Sequence, residues 1–222
     1  MILLINQQHL SISDFAQALA QQLDKPLEEK EIALDQIENY CEQEGVDMLV
    51  VSCESNRKAI QQVLDACRTL RIPYIIFTPQ MQTEALKKGD AVLIPVSMFE
   101  EELSKAQIAT AFGRFCHTKS ILVQANDYGT RAIKNIGKIR TLIEKFELPY
   151  SIEKAQKNSY KVEQEACDKA AEYDAKILVV TASRDYGLDD IIFGPKERHI
   201  IQKATIPVLL LNPRGDLYSL CD

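Results

Sequence analysis

The chain has 222 residues, 46% of them apolar and 26% charged, a balance that excludes a disordered, collagenous or disulfide-miniprotein chain. Its 26 basic and 32 acidic residues leave a net charge of −6, without the basic excess of a nucleic-acid binder or the Lys/Arg run of a protein drawn to anionic membranes. The length suits one large domain or two small ones.

No stretch approaches the ~20 apolar residues of a membrane span. The start, Met1 to Asn6, has no basic region and a very short apolar run, so no signal peptide is expected. The six cysteines (Cys41, Cys53, Cys67, Cys116, Cys167, Cys221) show no paired spacing and read as reduced thiols of a cytoplasmic protein. With three histidines (His9, His117, His199), none near a cysteine pair, no metal site is expected.

In chain order, Ile2–Ile5 reads as a strand, and Ser13 as the cap of a helix over about 14–23. Glu31–Glu44 has helical period and stops at Gly45. Met48–Ser52 is a buried strand, Asn56–Leu70 a helix and Pro73–Thr78 a strand. Pro79 and Gly89 punctuate a connecting segment. The pattern resumes with a strand at Ala91–Val96, a helix from about Glu100 to Phe115, and a strand at Ile121–Gln124. Then come a helix over 130–146, a weaker strand over 150–154, a helix over 160–173 and a strand at Lys176–Thr181. A loop over 183–194, a helix over 196–203 and a strand at Pro207–Leu211 finish the series. Short apolar strands separated by helices imply βαβ crossovers, hence an α/β fold with a mostly parallel, doubly wound sheet covered on both faces.

The chain echoes itself. Arg71-Ile72-Pro73-Tyr74-Ile75-Ile76-Phe77-Thr78-Pro79 resembles Thr205-Ile206-Pro207-Val208-Leu209-Leu210-Leu211-Asn212-Pro213, and each follows a helix that follows a similar strand. The charge is uneven: residues 1–89 carry −5 and the remainder −1. From Val51 to Pro73 is 22 residues, and from Val180 to Pro207 it is 27. The extra residues follow the strand ending at Thr181, where open α/β sheets bind ligands. A ligand loop is therefore expected in the second copy and not in the first.

Residues 90–213 resemble the universal stress protein family. The likeness is carried by Val92-Leu93-Ile94-Pro95-Val96-Ser97, Ile177-Leu178-Val179-Val180, Ile191-Ile192-Phe193-Gly194-Pro195, His199 to Ala204, and Ile206-Pro207-Val208-Leu209-Leu210. Residues 1–85 look like a shortened, degenerate copy, and residues 214–222 a C-terminal tail. Tandem members exist in that family. The resemblance thus implies two Rossmann-like repeats packed as a pseudo-dimer, with the strands at Pro73–Thr78 and Pro207–Leu211 meeting along their edges.

Many members of the family bind ATP through small residues that let backbone N–H groups approach the triphosphate. Here Thr181 stands where the first motif glycine belongs and Arg184 where the second does. Gly194 keeps the third, and Pro195 replaces the hydroxyl residue, removing an N–H as well. Ser97 stands where ATP-binding members usually carry an aspartate. Pro95, Ser97, Gln124, Thr181, Arg184, Gly194 and Pro195 are therefore the candidate ligand residues, with the standard ATP mode impaired. The alternative is an adenine-nucleotide-binding stress protein with slow or no hydrolysis, Arg184 clamping an anion. A flavin- or receiver-like doubly wound domain is a third.

Other clusters have simpler readings. Ser183-Arg184-Asp185-Tyr186 reads as a solvated loop. Lys196, Arg198 and His199 read as a solvated helix face, as do Asp189-Asp190 and Glu100-Glu101-Glu102. Asn126-Asp127-Tyr128-Gly129 is placed to line a crevice, and a tight turn accounts for it equally. Cys116-His117 has no third group to orient it as a catalytic pair, and Cys53 reads as a buried thiol. No phosphate-loop, dinucleotide, serine-hydrolase or zinc-protease motif occurs, so no enzyme is expected. The overall expectation is a cytoplasmic stress-response regulator that binds a protein partner or a small ligand, not nucleic acid or membrane. It would be an intramolecular pseudo-dimer, with a homodimer as a further option.

Overall fold

The computed structural model describes residues 1–183 and 195–213, apart from the side chain of Glu101. Nine strands form one sheet in the order β2-β1-β3-β4-β9-β8-β5-β6-β7. They are β1 (Ile2–Asn6), β2 (Leu27–Glu29), β3 (Met48–Ser52), β4 (Tyr74–Phe77), β5 (Ala91–Val96), β6 (Lys119–Gln124), β7 (Tyr150–Lys154), β8 (Ala175–Thr181) and β9 (Val208–Leu211). Every neighbouring pair is parallel except β4 and β9, which run antiparallel with Tyr74 opposite Leu210, Ile75 opposite Leu209 and Ile76 opposite Val208. The two echo segments therefore do meet along their edges.

The helices are α1 (Ser13–Gln22), α2 (Ile37–Gln43), α3 (Arg57–Cys67), α4 (Ser104–Phe115), α5 (Arg131–Lys145), α6 (Val162–Asp168) and α7 (Lys196–Lys203). Short 3-10 turns, 34–36 and 100–103, lead into α2 and α4. The central strands β3, β4, β5 and β9 are buried at every residue, which is why they read as unbroken apolar runs.

Local chemistry sets most boundaries. Asn56 caps α3 by accepting the Ala59 N–H at 2.9 Å. Gly45, at φ +62, takes the left-handed turn that ends the α2 segment. Two expectations need correction. Ser13 is the first residue of α1 and no side chain caps that helix, because Ile12 precedes it as a buried anchor. The helix expected over 31–44 begins only at residue 37, and strand β2 lies before it. β2 is a three-residue edge strand with two glutamates, so no alternating or apolar pattern announces it.

The junction between the four-strand and five-strand portions is tied by more than the ladder. Helices α3 and α7 pack against each other. The Asn212 amide donates to the last-turn carbonyls of α3, Cys67 at 2.7 Å and, just beyond, Leu70 at 2.9 Å. It accepts from the Tyr74 hydroxyl at 3.2 Å. Asn212→Ala removes three hydrogen bonds across the junction, a change expected to cost about 2 kcal/mol. Urea unfolding should show that loss as a lower midpoint with an unchanged slope.

Candidate functional site

In a doubly wound sheet the crevice opens where successive strands diverge, at their carboxyl ends. In the five-strand portion that point lies between β5 and β8, and in the four-strand portion between β1 and β3. Both places are filled by the chain's own polar side chains.

Between β5 and β8 sits Lys105, on α4 and fully buried. Its ammonium donates to the Pro95 carbonyl at 2.7 Å and to Glu163 Oε1 at 3.0 Å, and lies 2.7 Å from Glu102 Oε2. Glu163, on α6, also accepts the Thr181 backbone N–H at 3.0 Å and pairs with Lys196 at 2.8 Å. The Thr181 hydroxyl donates to Glu102 Oε1 at 3.3 Å. Two carboxylates thus face two ammonium groups across the switch point. Burial pushes the Glu163 carboxyl up, but the Lys196 and Lys105 charges and the Thr181 N–H outweigh it and hold it well below the ordinary carboxylate range. Burial likewise works against the Lys196 ammonium, and Glu163 reverses it, leaving that group raised.

Beside this cluster, Glu197 accepts from the Ser183 N–H at 3.1 Å and hydroxyl at 3.0 Å. Its carboxyl is raised because burial outweighs those bonds. At the other switch point, Asn6 Oδ1 accepts from the Ser52 hydroxyl at 2.9 Å and the Leu10 N–H at 3.0 Å.

The residues singled out from sequence divide between different places. Pro95 and Thr181 come together through Lys105, Glu102 and Glu163. Ser97 is buried, its hydroxyl accepting the Phe99 N–H at 3.3 Å and its carbonyl accepting from Asn135 at 2.9 Å. Gln124 lines a separate small cleft with Asn126, Asp127 and Lys154. Pro195 precedes α7 as its cap residue. Arg184 and Gly194 lie outside the described residues, as do Asp185, Tyr186, Asp189, Asp190 and Cys221.

Two readings are overturned. Glu102 is 2% exposed rather than solvated, because the Lys105 ammonium draws it inward. Arg198 is also buried, donating to Gln61 of α3 at 3.0 Å. Beside the β1 end of the four-strand portion lies a cleft of about 350 Å³, lined by Asn6, His9, Lys30 and Glu31 among others. Lys105 and Glu163 were not anticipated. They lie 58 positions apart, and only the crossover order of the strands brings them together.

Cys53 is buried as expected, and so are Cys41, Cys67 and Cys116. Burial pushes Cys53 and Cys116 up to about 12 and Cys41 and Cys167 to about 11, and raises Cys67 further still. Among the described residues no group of three or more metal-ligating side chains gathers, and no helix is long and apolar enough to cross a membrane.

No family model matches the chain, and no curated protein matches its sequence. Solved structures do match. A universal stress protein from Archaeoglobus fulgidus DSM 4304 superposes with a TM-score of 0.62 at 14% identity, covering 96% of this chain and 85% of that one. A protein from Pseudomonas aeruginosa UCBPP-PA14, provisionally named a universal stress protein, gives 0.57 at 16% identity, covering 99% and 84%. One of unknown function from Pseudomonas aeruginosa PAO1 gives 0.56 at 15%, with the same coverage. The chain has the universal stress protein fold. The likeness spans nearly the whole chain.

The buried cluster has measurable consequences. Lys105→Met takes the ammonium partner from buried Glu102 and leaves Glu163 with Lys196, and should cost about 3–5 kcal/mol, whereas Lys196→Gln, at a side chain 43% exposed, should cost at most about 1 kcal/mol. Chemical denaturation of the two variants tests the contrast. Acid titration provides a second check. Glu163 and Glu165 are both held low in the folded state, Glu165 because the Gln156 and Lys157 N–H groups and Lys169 outweigh its burial. The unfolded chain therefore takes up their protons first. Their contribution should be complete above the unfolded carboxylate value of about 4.3 and lost as pH falls towards the lower folded values. Glu197, raised, has the opposite sign and acts above that value, so Glu197→Gln should remove a gain in stability that the wild type shows as pH falls towards it. Thermal midpoints measured from pH 6 to about pH 2 would check both directions.

Proposed function

We propose that this chain is a tandem universal stress protein whose first repeat, residues 1–85, is a shortened copy of the second, residues 90–213. The two pack as an intramolecular pseudo-dimer. What supports the reading is the antiparallel β4–β9 pairing inside a sheet otherwise wholly parallel, since two parallel units can meet edge to edge in this way about a local two-fold axis. The four-strand order β2-β1-β3-β4 also mirrors β6-β5-β8-β9, with β7 as the strand the first copy lacks.

The proposed role is that of a non-enzymatic, cytoplasmic stress-response regulator that acts by binding a protein partner or a small ligand. In the standard family mode it does not hold ATP. The β5–β8 crevice carries two carboxylates, and the Thr181 N–H that would meet an anion is already bonded to Glu163. A triphosphate entering there would meet like charge and would have to displace a buried, balanced cluster. Calorimetric titration with ATP is the test. The reading expects a dissociation constant weaker than about 1 mM, which corresponds to less than about 4 kcal/mol of binding free energy. Micromolar binding would favour the adenine-nucleotide alternative instead.

A further inference from the structure

We propose that the cleft between the β6–α5 and β7–α6 loops binds a small phosphate monoester of a hydroxylated molecule, a sugar phosphate being the simplest. It lies outside the β5–β8 crevice, and the proposal stands whether or not the family reading holds. The cleft measures about 410 Å³ and is lined by Asn126, Asp127, Tyr128, Gln156, Lys157, Asn158 and Lys161. That volume falls in the range of about 300–1,000 Å³ that small ligands occupy. A smaller cleft of about 160 Å³ adjoins it, sharing Asn126 and Asp127 and adding Lys154.

Charge is the first argument. Lys154, Lys157 and Lys161 are exposed, and none has an ion pair among the described residues. Lys157 and Lys161 line the larger cleft and Lys154 the smaller one beside it, on a chain whose net charge is −6. The carboxylate at the site is already engaged. Asp127 accepts the Ser159 N–H at 3.0 Å and the Ser159 hydroxyl. Lysines of this kind suit a compact dianion, to which each presents a strong point charge.

Rigidity is the second. The Asn126 N–H donates to the Lys157 carbonyl at 2.8 Å, tying one loop to the other. The Gln156 and Lys157 N–H groups donate to the buried Glu165 carboxylate at 2.9 and 2.7 Å. Ser159 Oγ also accepts the Met98 N–H at 2.7 Å, anchoring the base of the cleft to the loop after β5. The walls are held before any ligand arrives, which lowers the ordering cost of binding.

The remaining lining gives the rest of the ligand its chemistry. Primary amides at Asn126, Gln156 and Asn158 each offer a donor and an acceptor, the pairing that hydroxyl groups need. Tyr128 also lines the cleft and is fully exposed, an aromatic ring free to cover the ligand's carbon skeleton.

The experiment is calorimetric titration at low salt with ribose 5-phosphate, inorganic phosphate and ribose. Ribose 5-phosphate should bind with a sub-millimolar dissociation constant, phosphate more weakly and ribose not at all. Lys157→Gln with Lys161→Gln should weaken ribose 5-phosphate at least about tenfold, or about 1.4 kcal/mol. Lys58→Gln with Lys88→Gln, the same charge change on exposed residues elsewhere, should leave it unchanged. Circular dichroism of both variants should match the wild type, since only exposed side chains change. No binding of ribose 5-phosphate, or equal loss in both variants, would overturn the site. Equal affinity for phosphate and its ester would overturn the hydroxylated part of the ligand.

Discussion

The antiparallel pairing of β4 with β9 is the constraint on which the molecule turns. Each strand would otherwise be an exposed, fully apolar sheet edge, a template for aggregation. Joined, they become the interior of one nine-stranded sheet, and the remaining edges, β2 and β7, are short or mostly polar. Once the strands are in register, α3 is brought onto α7, Arg198 reaches Gln61, and Asn212 collects the carbonyls that end α3. The junction is thus a core in its own right.

That arrangement fixes what can happen at the two switch points. Each brings strand ends together in a place that ligands commonly use, and each is filled from within. In the four-strand portion a neutral amide and hydroxyl suffice, Asn6 with Ser52. In the five-strand portion the filling is ionic: the Lys105 ammonium donates to Pro95 and Glu163 and lies against the Glu102 carboxylate. A buried ammonium is tolerable only in such company, which is why the surrounding carboxylates cannot be removed singly without large cost. Lys154, Lys157 and Lys161, with no ion pair among the described residues, lie farther out, beyond β6 and β7.

Much of the fold was legible because burial on both faces writes an unbroken apolar run into each central strand. The order of helices and strands followed from it, and the resemblance to the universal stress protein family implied the β4–β9 contact. β2 was not legible, since a short edge strand carrying Glu28 and Glu29 has no pattern to distinguish it from a loop. The candidate site was harder. Glu102 sits in a run of three glutamates that composition assigns to solvent, and only the Lys105 ammonium one turn away reverses that. Glu163 carries no local mark at all. Its importance comes from α6 crossing the end of β5, a tertiary fact. Arg198 was misread for a related reason: α7 has a second partner, α3, that helical periodicity cannot reveal.

The account stands or falls on the β4–β9 ladder being part of the cooperative core. Hydrogen exchange followed by mass spectrometry, on peptides spanning residues 74–77 and 208–211, addresses that most directly. Both should exchange only through global opening, with the same slow rate and the same denaturant dependence as peptides from β3 and β8. Fast, independent exchange in the β4 peptide while β8 stays protected would mean that the two portions are merely docked.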